Sequence, residues 1–115
     1  MSHRGQHAED LAAAFLQQHG LELLERNYRC RFGEIDLIAR DGKTLVFVEV
    51  RMRSSASFGG AAASITAAKR GKLTRAARHY LAGTARAPAC RFDAVLVSGT
   101  ALEMEWLKNV FDEDC

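Results

Sequence analysis

The 115-residue sequence predicts a single domain, residues 1–115, of the α/β class: a mixed sheet flanked by two helices. Three observations carry this. Apolar residues recur at helical spacing near the N-terminus and again after residue 64. Between them lie strand-like runs, two of which are joined by Asp41-Gly42, a strong hairpin signal. The run over 44–52 is apolar on both sides up to Glu49, the pattern of a central strand covered twice. A chain of this length can bury one core.

The elements follow in order. A helix is predicted over 6–19, with Ala8, Leu11, Ala12, Phe15 and Leu16 on its apolar face, Glu9 at the edge of that face, and Gly20 as the stop. A short mixed strand covers 21–27. The run 31–40 alternates, with Ile35, Leu37 and Ala39 expected on one side and Glu34, Asp36 and Ile38 on the other. In 44–52, Leu45, Phe47, Glu49 and Arg51 share one side and Val46, Val48 and Val50 the other. A loop over 54–63 centres on Phe58-Gly59-Gly60. A second helix over 64–82 has Ile65, Leu73, Ala76, Ala77, Tyr80 and Leu81 inside and Lys72, Arg75 and His79 outside. A loop over 84–89 holds the only proline, Pro88, and strands over 91–97 and 102–106 complete the chain.

Composition narrows the function classes. No apolar stretch is long enough to span a bilayer, and the N-terminal residues lack the apolar run of a secretory signal, so a cytoplasmic protein is expected. Three cysteines, an odd number with no Cys-x-x-Cys spacing, argue against a disulfide framework or zinc ribbon and predict free thiols. His3 and His7 have no third soft ligand near them in sequence. No Gly-rich loop ends in Lys-Ser/Thr, so ATP hydrolysis is not supported. The net charge of +2 hides an asymmetry: 51–92 contains no Asp or Glu but nine Lys and Arg, while the segment from Asp93 onward has six acids and one base. Such a basic middle suits a polyanionic partner, or else a solvated helix face balanced by acids elsewhere.

The chemistry concentrates on Asp36 and Glu49. Both occupy strand positions where a carboxylate is costly unless paired with a cation. They stand on opposite sides of the hairpin turn, and antiparallel pairing can make them neighbours. Adjacent carboxylates repel unless one is protonated or a cation lies between them. Oxygen donors alone suit a hard ion such as Mg²⁺. Glu9 can supply a third carboxylate from the first helix, and Arg51 shares Glu49's side of its strand. Carboxylates on a divalent ion beside a cationic side chain are what phosphodiester hydrolysis requires. The plainer alternative is a set of ion pairs, Asp36 with Arg40 or Arg51 and Glu49 with Arg51 or Arg53.

The segment Gly33-Glu34-Ile35-Asp36-Leu37-Ile38-Ala39-Arg40-Asp41-Gly42, followed by Leu45-Val46-Phe47-Val48-Glu49-Val50-Arg51-Met52-Arg53, resembles the YraN family of small bacterial proteins. The resemblance continues through Arg26-Asn27-Tyr28-Arg29, Phe58-Gly59, Lys69 with Leu73, Tyr80-Leu81 and Arg91-Phe92-Asp93, and so covers almost the whole chain. That family is similar to the PD-(D/E)xK nuclease superfamily, especially archaeal Holliday-junction resolvases. The resemblance implies a restriction-endonuclease-like fold with an α-β-β-β-α-β core. It also implies cleavage of structured or branched DNA with Mg²⁺ or Mn²⁺, and a homodimer, since two scissile strands need two sites. By position, Asp36 and Glu49 match the acidic metal ligands and Glu9 the helical Glu of resolvase-like members. Arg51 stands where the superfamily usually has lysine. Arginine stays protonated and cannot exchange a proton with a nucleophilic water. Lys69 of the second helix is the candidate to replace it. Arg53, Lys69, Lys72 and Arg75 are the candidate DNA-phosphate contacts. Glu34 either assists the metal or forms a surface ion pair. The rival readings are a non-catalytic nucleic-acid-binding module on the same fold and a scaffold for a protein partner.

Overall fold

The computed structural model describes residues 3–53, 66–83, 89–98 and 103–111, with side chains from residue 7 onward except at 53 and 111. Its elements run α1 (His3–Gln18), β1 (Glu22–Cys30), β2 (Gly33–Asp41), β3 (Thr44–Arg53), α2 (Ala67–Leu81), β4 (Cys90–Ser98) and β5 (Met104–Phe111). The predicted loop over 54–63 with Phe58, the start of the second helix at Ser64 and Ile65, and Pro88 lie outside the described residues.

The five strands form one sheet in the order β1-β2-β3-β4-β5. All neighbours are antiparallel except β3 and β4, which run parallel and are connected through α2. A parallel pair needs such a crossover because a tight turn cannot reverse the chain twice. The fold is therefore a mixed sheet between two helices with the α-β-β-β-α-β order read from the sequence.

Local sequence explains the punctuation. Gly20 follows α1 with φ +91°, and its N–H and that of Leu21 cap the helix carbonyls of Gln17 and Leu16 at 3.1 Å each. Asp41 pairs with Thr44 across a two-residue turn in which Gly42 has φ +63°, a conformation the hairpin requires. Thr66 caps α2 by accepting from the Lys69 N–H at 3.2 Å.

Each face of the sheet has its own core. Under α1, Ala8, Ala12, Ala13 and Leu16 pack on Leu37, Ala39, Val46, Val48, Val95 and Val97. The small alanines let the helix approach the sheet closely. Under α2, Leu73, Ala76, Ala77 and Leu81 pack on Ile35, Ile38, Phe47, Phe92, Ala94 and Leu96. β3 and β4 contribute to both cores, so they are central, as the two-sided apolar pattern of 44–52 predicts.

One expectation fails in an informative way. Ile35 does not share a face with Leu37 and Ala39. It packs with Ile38 under α2, while Leu37 and Ala39 face α1. The alternation therefore slips by one residue at Asp36. β1 slips in step. Arg26 pairs with Asp10 of α1, whereas Tyr28 packs in the α2 core, and Asn27 between them has φ +53°. Arg26 aligns with Leu37 and Tyr28 with Ile35, so the two irregular residues, Asn27 and Asp36, fall opposite each other. A strict period of two cannot foresee an irregularity shared by two strands.

The cysteines also differ from expectation. Cys30 is a free thiol, but Cys90 is disulfide-bonded, correcting the prediction that all three are free. An odd count guarantees one unpaired thiol and does not forbid a pair.

Candidate active site

The site forms where β2 and β3 part. Their ladder is regular from Asp41–Thr44 to Leu37–Val48. One more step would set Asp36 against Glu49. Instead, the Val50 N–H donates to Asp36 Oδ2 at 2.8 Å. The side chain has taken a backbone donor, which fixes the carboxylate at the edge of the divergence. There Asp36 meets both Glu9 of α1 and Glu49 of β3.

From the α1 side comes Glu9. Ligand oxygens of Glu9, Glu34 and Asp36 all lie within 4.8 Å of one another. The Glu9 carboxyl is pushed up by partial burial and then by the charges of Asp36 and Glu34, while the Asn27 side chain and Arg26 favour its ionised form. The positive-φ residue of β1 thus belongs to the site's polar surroundings. Asn27 was assigned no role from sequence. The only signal for it is that Asn tolerates a left-handed conformation that most residues avoid.

From the α2 side comes Lys69. Glu49 is 6% exposed, the most demanding position for a carboxylate in the site. Its pKa is pushed up to about 7, first by burial, then by a proton shared with Asp36 and by the Asp36 charge; Lys69 and Arg51 pull the other way. Lys69 Nζ lies 3.3 Å from Glu49 Oε2. The approach is an ion pair without hydrogen-bond alignment, and Glu49 Oε2 and Arg51 Nε remain buried without a hydrogen-bond partner among the described residues. Among these residues Glu49 Oε2 is thus met by the Lys69 ammonium alone and Arg51 Nε by no acceptor, a cost that a ligand or solvent would relieve. No ion pair joins Asp36 to Arg51 among the described residues.

The predicted residues are thereby distributed as follows. Glu9, Glu34 and Asp36 form one carboxylate group, and Glu49 meets it through Asp36; Glu34 also forms the expected surface ion pair, at 3.5 Å with Arg29. Arg51 stands beside Glu49 on β3, half-buried. Lys69, expected among the phosphate contacts, reaches into the carboxylate cluster itself. Lys72 and Arg75 are exposed along α2, and Arg53 ends β3 with its side chain outside the description. Asp93 pairs with Arg91 on β4, where it aligns with Val48 of β3, and does not join this cluster. The donor set, three or four carboxylates and no sulfur or imidazole, fits a hard divalent cation such as Mg²⁺ or Mn²⁺.

Residues 8–97 match the model of a family described as uncharacterised protein family UPF0102. The chain belongs to this family. A UPF0102 protein of Nitrosomonas europaea is 68% identical over 96% of this chain and 94% of its own length. UPF0102 proteins of Nitrosomonas eutropha and Nitrosospira multiformis are 66% and 60% identical, over 96% and 95% of this chain and 94% and 92% of their own lengths. The UPF0102 match spans α1 through β4 and so includes every residue of the carboxylate cluster and Lys69. No helix among the described residues is long and apolar enough to cross a membrane.

Proposed function

We propose that this UPF0102 protein is a divalent-metal-dependent endonuclease acting on structured or branched DNA, as its YraN-like and PD-(D/E)xK-like sequence suggests. The observation that carries the reading is the meeting of Asp36 and Glu49 with Lys69 at the parting of β2 and β3, with Glu9 and Glu34 alongside. Glu9, Asp36 and Glu49, helped by Glu34, would hold Mg²⁺ or Mn²⁺. The ion, when bound, supplies charge to the scissile phosphate and acidity to water.

The remaining roles fall to the chain itself. Asp36 is immobilised by the Val50 N–H, so its oxygens are set before substrate arrives. Arg51, always charged, can orient a phosphate and stabilise the negative charge that builds at phosphorus. Lys69 has the proton-exchanging ammonium that Arg51 lacks, and its position against Glu49 lets it take the place of the strand lysine usual in the superfamily. Lys72, Arg75 and Arg53 would hold neighbouring backbone phosphates. A dimer of this chain would bring a second site to the second strand of a branched substrate.

The test is incubation with nicked, flapped and four-way DNA in Mg²⁺ or Mn²⁺. Cleavage is expected, with Asp36→Asn lowering the rate by roughly a hundredfold or more and Lys69→Ala lowering it more than Lys69→Arg. Retained DNA binding without cleavage at any metal concentration would leave a binding module, the outcome that Arg51 in place of lysine favours. Absence of salt-sensitive DNA binding would leave a protein scaffold.

A further inference from the structure

At the end of the β1–β2 hairpin the chain turns through Arg31 and Phe32, between the paired residues Cys30 and Gly33. Phe32 is only partly buried, at the tip of the turn. The Arg31 guanidinium lies 4.8 Å from the centre of its ring. His79 of α2 meets the same ring edge-on at 5.9 Å and is itself bound to the Tyr28 hydroxyl at 2.6 Å. The ring is therefore held against α2 through His79, with the Arg31 guanidinium lying over it.

The residues on either side of the turn, Arg29, Cys30, Gly33 and Glu34, line an open depression of about 430 Å³. Lys72 borders it, since its Cβ lies 3.6 Å from where a side chain at Gly33 would begin. Arg29, three-quarters exposed, is held only by Glu34 at 3.5 Å. Glu34 also belongs to the carboxylate group with Glu9 and Asp36. Glu34 thus joins the depression to the candidate metal site, with Arg29 in its wall, Lys72 at its border and Phe32 and Arg31 in the adjoining turn.

We propose that this corner is a nucleobase platform: an unpaired base stacks on Phe32, and Arg29, Arg31 and Lys72 take its flanking phosphates. The proposal rests on the nuclease reading and specifies its substrate as DNA with unpaired nucleotides next to the scissile bond. Stacking requires an exposed base face, which continuous duplex conceals. A base arriving on the ring displaces the Arg31 guanidinium, which is then free to meet a phosphate. The depression has the scale of a nucleoside, and its positive rim matches a polyanion.

The experiment measures binding of the full chain, with Ca²⁺ in place of Mg²⁺, to a fluorescent dT oligonucleotide, a flapped duplex and a blunt duplex. Phe32→Ala is expected to weaken the oligonucleotide and the flap about tenfold, with duplex binding changed less than twofold, and Phe32→Trp is expected to restore both. An oligonucleotide carrying 2-aminopurine is expected to lose fluorescence on binding the unaltered protein, a readout that does not depend on any variant folding. An equal loss on all three DNAs, no loss on any, or no quenching would overturn the platform. Phe32-dependent binding without cleavage would keep the platform and remove the nuclease reading. Cleavage of duplex and flap alike, unchanged in Phe32→Ala, would do the reverse.

Discussion

Glu49 shows how one side chain can be held against its own solvation. It is buried between Asp36 and Lys69 with one oxygen held, among the described residues, only by the Lys69 ion pair and no hydrogen bond, and its pKa is pushed up to about 7 from an ordinary value of 4.5. The folded state therefore holds this proton more tightly than the unfolded chain does. The corresponding stabilisation is fully present below about pH 4.5 and is lost as the pH rises through about 7. For the metal-free protein this predicts a stability decline of up to about 3 kcal/mol across that window. Urea titrations at pH 5 and pH 8 should show it in the unaltered protein, and Glu49→Gln should flatten it. A divalent ion at about a hundred times its dissociation constant should restore about 2–3 kcal/mol at pH 8 and much less at pH 5, where carboxylates begin to hold protons. Asp36→Asn should abolish that gain. A metal response equal in Asp36→Asn and the unaltered protein would place the ion elsewhere.

At the scale of elements, the junction of β4 with β5 is held by a second buried carboxylate with the opposite design. Asp93 is 1% exposed and fully served: Arg91 Nε donates to both its oxygens at 3.0 and 3.1 Å, Trp106 Nε1 at 2.9 Å and the Asn109 N–H at 2.9 Å. These bonds cross the irregular step where β5 leaves register with β4 between Phe92 and Ala94, and Arg91 extends the network to Asp41 at 3.0 Å. Asp93 therefore seals β5 onto the sheet, whereas Glu49 is left open to a ligand. Asp93→Ala would leave the Trp106 indole N–H and the Asn109 N–H without their acceptor and remove one of the two carboxylates that hold Arg91. It should cost about 3–5 kcal/mol and expose the β5 amides to hydrogen exchange before the rest of the sheet. The DNA cleavage proposed above should persist in the surviving folded fraction, because Asp93 does not touch the carboxylate cluster.

Across the whole molecule, charge is segregated rather than merely positive. The stretch 51–92, free of acids, contributes α2 with Lys69, Lys72 and Arg75, while the acids of α1 and β2 form the cluster beside it. An acidic centre rimmed by bases suits a ligand that brings both phosphates and a neutralising cation. DNA affinity should fall linearly in a log–log plot against salt. Lys72→Ala and Arg75→Ala should each reduce the slope by about 1 and weaken all DNA structures alike, in contrast to a change at Phe32. A slope unchanged in both variants would remove α2 from the DNA-facing surface.

Element order, the Asp41-Gly42 hairpin, the doubly covered β3 and the grouping of Asp36 with Glu49 were legible in the residues, because periodicity, turn chemistry and costly charge in apolar strands are local signals. The proximity of Lys69 to Glu49 was not. It depends on Thr66 starting α2 where it does and on the crossover laying that helix over β2, next to β3, relations that no spacing along the chain encodes. The slip of alternation at Asp36 was likewise invisible, since it exists only as a compromise between β1, β2 and β3, with Asn27 irregular opposite it. That slip leaves Asp36 where it meets both Glu9 of α1 and Glu49, the partner of Lys69 of α2. Local patterns chose the elements and their acids. The long-range packing of two helices on opposite faces of one sheet chose which of those acids became neighbours, and which base joined them.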